Sequence, residues 1–99
     1  MQSSYPDRFD REMACTEAEW LRWLPQAIGA QVWSMQGSTA DVRIADGALA
    51  LNWSVGEPRV IGLARMPRMR VAFRFTGLDA AQRQAFMKRF DLYMQRGGG

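Results

Sequence analysis

The chain has 99 residues, 47% apolar and 23% charged, which suffices for one modest hydrophobic core, not two, and is unlike a disordered chain. It has no histidine and a single cysteine, Cys15, which excludes a disulfide framework, a cysteine-rich zinc site and the usual histidine-based triads. Net charge is +3 but lopsided: residues 1–58 hold four Arg against eight Asp and Glu, whereas residues 59–99 hold nine Arg and Lys against two Asp, which directs any anion-binding surface to the second half.

The opening MQSSYPDRFDREMAC lacks the apolar stretch of a secretory leader. No run approaches the ~18 apolar residues of a membrane span. The expectation is a cytoplasmic protein, neither secreted nor inserted in a membrane, with a lone thiol suited to a reducing compartment. Residues 1–99 read as a single domain, with 1–8 and 97–99 flexible.

Phe9, Met13 and Cys15 share one side of a period-2 pattern into which Arg11 intrudes, which predicts a short edge strand. Thr16-Glu17-Ala18-Glu19 fits a capping box, so a helix is expected from Glu17. Trp20, Leu21, Trp23, Leu24, Ala27 and Ile28 fall on one arc at helical spacing and are expected to be buried. Pro25 predicts a kink or a restart as a short turn from Pro25 to Ile28, and Gly29 ends the helix.

Four or five strands are expected next. Gln31 to Gln36 supplies Val32, Trp33 and Met35 before a turn at Gly37-Ser38, and Val42 and Ile44 alternate with Asp41 and Arg43. Asp46-Gly47 predicts a hairpin turn, because both residues tolerate positive φ. Leu49, Leu51, Trp53 and Val55 line one face of the following strand. After Gly56-Glu57-Pro58, the segment Arg59 to Met66, with Val60, Ile61 and Leu63, reads as a mostly buried strand interrupted by Gly62 and ended or bulged by Pro67. From Arg68 to Thr76, Met69, Val71, Phe73 and Phe75 oppose Arg68, Arg70, Ala72 and Arg74. Asp79 then caps a helix to about Arg96, with Phe86, Met87, Phe90, Tyr93 and Met94 on its core face.

The predicted fold class is α+β: a two-layer sandwich of an antiparallel meander sheet of five to six strands with both helices on one face, in the order β-α-β-β-β-β(-β)-α. Over Phe9 to Arg96 this order resembles the repeat unit of TATA-binding-protein-like domains. It is also similar to a shortened helix-grip (Bet v1-like) domain, with Trp20 to Ile28 as the helical pair and Ala80 to Arg96 as the long C-terminal helix. The excess of Arg over Lys and the ending Phe-Asp-Leu-Tyr-Met-Gln-Arg-Gly-Gly-Gly resemble small proteobacterial proteins. The first resemblance implies nucleic acid docking on the open sheet face, and the second implies a pocket between sheet and helices.

The leading candidate site is that open face. Arg68, Arg70 and Arg74 project from one strand, Arg43 joins them from another, and small Ala48, Ala50 and Ala72 leave room between. Guanidinium groups so arranged suit phosphates or carboxylates. The competing account is that an uncovered sheet face simply needs polar residues for solubility. Arg96 with the Gly97-Gly98-Gly99 tail resembles the ends of ubiquitin-like modifiers and sulfur carriers, against which stands a frayed helix end. Cys15 precedes a helix N-terminus that would favour its thiolate, but no histidine exists to serve as its base, and a small buried side chain is the commoner role.

Glu17, Glu19, Asp79 and Asp91 are explained by helix ends and solvent exposure, so no carboxylate pair converges for acid/base work. No cofactor or metal site is expected. The function expected is a non-catalytic binding module that presents Arg43, Arg68, Arg70, Arg74 and Arg96 to an acidic protein partner or polyanion. Nucleic acid is a further possible ligand, and a membrane is not expected as a partner. The alternative is a small-molecule or enzymatic pocket lined by Trp33, Trp53 or Tyr93. A strip of Ala81, Ala85 and Leu92 allows for a monomer or a weak dimer.

Overall fold

The computed structural model describes residues 4–98. Its elements in chain order are β1 (Arg8–Met13), α1 (Glu17–Ile28), β2 (Trp33–Gln36), β3 (Thr39–Ile44), β4 (Gly47–Val55), β5 (Arg59–Ile61), β6 (Ala64–Met66), β7 (Met69–Thr76) and α2 (Ala80–Gly98). Five strands form one antiparallel sheet in the order β1-β7-β4-β3-β2, and β5 and β6 form a separate two-stranded ribbon. Both helices cover one face of the main sheet and the other is open, the α+β arrangement expected from the alternating sequence.

Alternation decides which side chains go inward. Met69, Val71, Phe73 and Phe75 of β7 stand beside Leu49, Leu51 and Trp53 of β4 and Ala40, Val42 and Ile44 of β3, all buried. Trp20, Leu24, Ala27 and Ile28 of α1 close this core with Phe86, Met87, Phe90 and Met94 of α2. Phe90 meets Phe73 edge-on at 5.5 Å and Trp20 at 6.0 Å, a geometry suited to the ring quadrupoles. The expected arc of α1 is broader than the buried one, since Leu21 is exposed and Trp23 half-buried.

The helix starts follow local hydrogen bonding. Thr16 Oγ1 accepts from the Glu19 amide at 3.1 Å while the Glu19 carboxylate accepts from the Thr16 amide at 2.9 Å. Asp79 and Gln82 repeat this reciprocal arrangement at the start of α2, at 2.8 and 2.9 Å. Pro25 does not split α1, which runs unbroken from Glu17 to Ile28. Its missing N–H falls on the exposed side of the helix, where water can serve the orphaned carbonyl. No basic residue of α1 lies in its last turn; Arg89 of α2 supplies one, donating to the Gln26 carbonyl at 3.2 Å.

Three further expectations are corrected. The β3–β4 connection is Ala45-Asp46, with positive φ at Ala45 (50°), and Gly47 already belongs to β4 opposite Ile44. Gly47 serves a different need: a Cβ there would lie 2.3 Å from the Thr76 carbonyl oxygen, so only glycine permits this approach of β4 to the end of β7. Second, Arg59 to Met66 is not a buried strand. Gly62 takes a φ of 59°, the chain reverses at Gly62-Leu63, and every residue from Arg59 to Met66 is exposed. Third, within the stretch 1–8 expected to be loose, Tyr5 is buried and Arg8 opens β1, whereas residues 1–3 lie outside the described ones. At the other end α2 reaches Gly98, and Gly99 lies outside the described residues.

Candidate binding surface

The open face is a lattice of mixed charge. One cross-strand row reads Arg8, Arg74, Ala50, Asp41, Ser34; the next reads Asp10, Ala72, Asn52, Thr39, Gln36; the third begins Glu12, Arg70, Ser54. Arg43 stands in a different row, opposite Ala48 and two strands from β7, and its same-face neighbour on β3, Asp41, occupies the Arg74 row. The expected single row of arginines is therefore broken up by carboxylates.

Each expected site residue has a distinct setting. Arg74 is tied down: it pairs with Asp10 at 3.2 Å and donates to the Phe73 carbonyl at 2.9 Å and the Phe9 carbonyl at 3.3 Å, fastening edge strand β1 to β7. Arg68 donates to the Glu57 carbonyl at 3.1 Å and pairs with Glu12 at 3.5 Å, fixing the root of the β5–β6 ribbon. Arg70 is exposed and opposite Glu12 in register, yet Glu12 makes its ion pair with Arg68. Arg96 lies in α2, on the far side of the sheet from the others, and its side chain is outside the described part.

Arg68 and Arg70 face a cleft of about 270 Å³ with Glu12, Ser54 and Glu57, and Arg68 also borders a second, more apolar cleft of about 150 Å³ between Met13 and Ala14 at the end of β1 and Ile61 and Met66 of the ribbon. Both are open to solvent. A guanidinium exposed beside such a cleft can hold an anion through paired N–H donors.

The ribbon is the part sequence reasoning missed. Between Pro58 and Leu78 the chain has five arginines, Arg59, Arg65, Arg68, Arg70 and Arg74, and no carboxylate. Among the described residues, the guanidinium groups of Arg59, Arg65 and Arg70 make no hydrogen bond or ion pair. Val60, Ile61 and Leu63 are exposed beside them, with Leu63 fully so. The flanking Pro58 and Pro67 and the single Gly62 were the available signals for a reversal.

The other candidates resolve into structural roles. Burial raises the Cys15 pKa above its ordinary value, and the nearby Glu19 charge adds to this, so the thiolate is disfavoured where a helix start alone would favour it. Trp53 is buried against Trp20 at 5.5 Å and its indole N–H donates to Glu17 at 2.9 Å, and Tyr93 lies under the Arg89 guanidinium at 4.4 Å. Neither Trp33, Trp53 nor Tyr93 lines the clefts described above, nor a third near Ile44 and Phe86. Asp91 is not merely solvent-exposed: it binds Arg11 and accepts from the Tyr5 hydroxyl at 2.6 Å. Among the described residues no group of three His, Cys, Asp or Glu could hold a metal ion, and no helix is long and apolar enough to cross a membrane.

Comparison of the chain with family models, with curated proteins and with solved structures gave no match. The architecture thus defines a class, an α+β two-layer domain with an open sheet face and a projecting ribbon.

Proposed function

We propose that the chain is a non-catalytic binding module for an anionic partner, an acidic protein or other polyanion. The contact surface is the end of the open face bearing Arg68 and Arg70, extended by Arg59 and Arg65 of the ribbon. The observation that carries this reading is the run of five arginines without a carboxylate, three of them unpartnered among the described residues and exposed. Unpaired exposed guanidinium groups retain their capacity for bidentate bonds to carboxylate or phosphate oxygens. Arg74 contributes less because Asp10 and two carbonyls already occupy it.

Base stacking is unsupported, because Phe73 and Phe75 point into the core. A reducing, cytoplasmic setting suits the single buried thiol. The exposed Ala81, Ala85 and Leu92 strip on α2 is too small for more than weak self-association.

The test is retention on a sulfated-polymer resin at low salt. The triple variant R59E/R65E/R70E is expected to lose retention, whereas R22E/R43E/K88E, with the same change in net charge outside the proposed contact surface, keeps most of it. Equal loss from both sets would reduce the effect to net charge and sink the assignment of the surface.

A further inference from the structure

The ribbon has an order of side chains that a polyanion alone does not require. Five consecutive residues at its end, Val60-Ile61-Gly62-Leu63-Ala64, carry no polar side chain, and Arg59 and Arg65 flank this run immediately on either side. Cross-strand pairing sets Val60 against Arg65 and Arg59 against Met66, so the two arginines stand on adjacent rungs and on opposite faces of the ribbon, bracketing it behind the apolar end. Arg68 and Arg70 follow farther back, at the start of β7.

We propose, resting on the binding-module reading, that the anionic partner is a membrane surface rich in acidic lipids: the Val60–Ala64 tip enters the headgroup region while Arg59, Arg65 and Arg70 contact lipid phosphates and carboxylates. The apolar end is exposed, most of all at its turn, with Leu63 at 105% against 60% for Val60 and 57% for Ile61. A fluid interface accepts an exposed apolar tip without a preformed pocket, whereas a folded partner would have to supply one. Nucleic acid fits less well, since the tip has no side chain able to hydrogen-bond or stack on a base. Arginines with long apolar stems behind the tip can keep their charge at the phosphate level while the stems enter the apolar boundary.

This mode needs no membrane-crossing segment. The expectation that set membranes aside rested on the lack of a leader and of a membrane span.

The experiment is sedimentation of the full chain with lipid vesicles, either neutral phosphatidylcholine or phosphatidylcholine with about one-third phosphatidylserine. The wild type is expected to bind the acidic vesicles and not the neutral ones. R59Q/R65Q is expected to weaken binding about thirtyfold, from ~1 kcal/mol per arginine near the surface. I61S/L63S is expected to weaken it by about tenfold or more, through lost apolar burial. Both pairs are exposed in water, so neither change should disturb folding. Loss with the arginine variant but not with the serine variant would overturn tip insertion and leave polyanion binding standing. No vesicle binding by a wild type still retained on the sulfated resin would overturn the lipid assignment alone; loss of both would remove the binding-module reading as well.

Discussion

Arg11 and Asp91 form an ion pair between the edge strand β1 and helix α2, although Arg11 lies on the inward face of its strand. Its guanidinium stands 5.6 Å from the Phe9 ring centre and 5.4 Å from that of Phe73, and Asp91 also accepts from Tyr5. Arg83 donates to the Tyr5 carbonyl at 2.9 Å from the same helix. These contacts fasten the first strand to the last helix, and so close the fold around the core.

Removing one partner leaves a largely shielded charge without its counterion. D91A is therefore expected to cost about 2 kcal/mol in chemical denaturation, the residual exposure of both side chains placing it below a fully buried pair. The double variant R11M/D91A should recover part of that loss, because no charge is then stranded; a double variant less stable than the sum of the singles would contradict the account.

The same cluster sets an alkaline limit. Burial, and then the hydrogen bond to Asp91, raise the Tyr5 pKa above its ordinary 10.0, and burial raises that of Cys15 above 9.0. A folded-state pKa above the unfolded one means that the unfolded chain loses its proton first. Stability contributed by these groups is complete below about pH 9 and is lost as pH rises through the two folded pKa values. Y5F/C15A should show a flatter decline than wild type in denaturation from pH 9 to 11; identical slopes would remove the linkage. Alkylation of Cys15 in the folded chain should be slow at neutral pH, with its inflection above 9.0.

Gly47 and Gly37 separate close approach from turn conformation. G47A puts a methyl group 2.3 Å from the Thr76 oxygen and is expected to cost about 3 kcal/mol. Gly37 has a φ of 59°, and a Cβ there would meet nothing within 4 Å, so G37N, a residue tolerant of that conformation, should stay within about 0.5 kcal/mol. Thermal unfolding of the two variants measures the difference.

The start of α1 carries a smaller contribution. T16A removes the acceptor for the Glu19 amide and is expected to cost about 1 kcal/mol, measured by denaturant titration at constant m-value.

Much of this fold was readable because local and tertiary demands agree. Thr16 with Glu19 marked one helix start and Asp79 the other, and the alternation in β4 and β7 identified the inward face residue by residue. The ribbon was not readable, since a short apolar run such as Val60-Ile61 has the same pattern in a buried strand and on an exposed one, and only the reversal at Gly62 distinguishes them. For the same reason the arginines of the open face looked like a continuous row: their partners Asp10 and Glu12 come from a strand 56 to 64 residues earlier, and register alone brings them together. Arg11 looked like a break in a pattern because its counterion, Asp91, lies on the last helix.

The most direct test of the proposed surface is to follow backbone amide resonances of the isotope-labelled chain during titration with a soluble polyanion such as polyglutamate at low salt. The largest shifts are predicted over Arg59 to Arg70 and at Glu12, with Arg22 and Lys88 on the helical side unmoved. Shifts centred on the helices or on Arg43, or none at all, would contradict it.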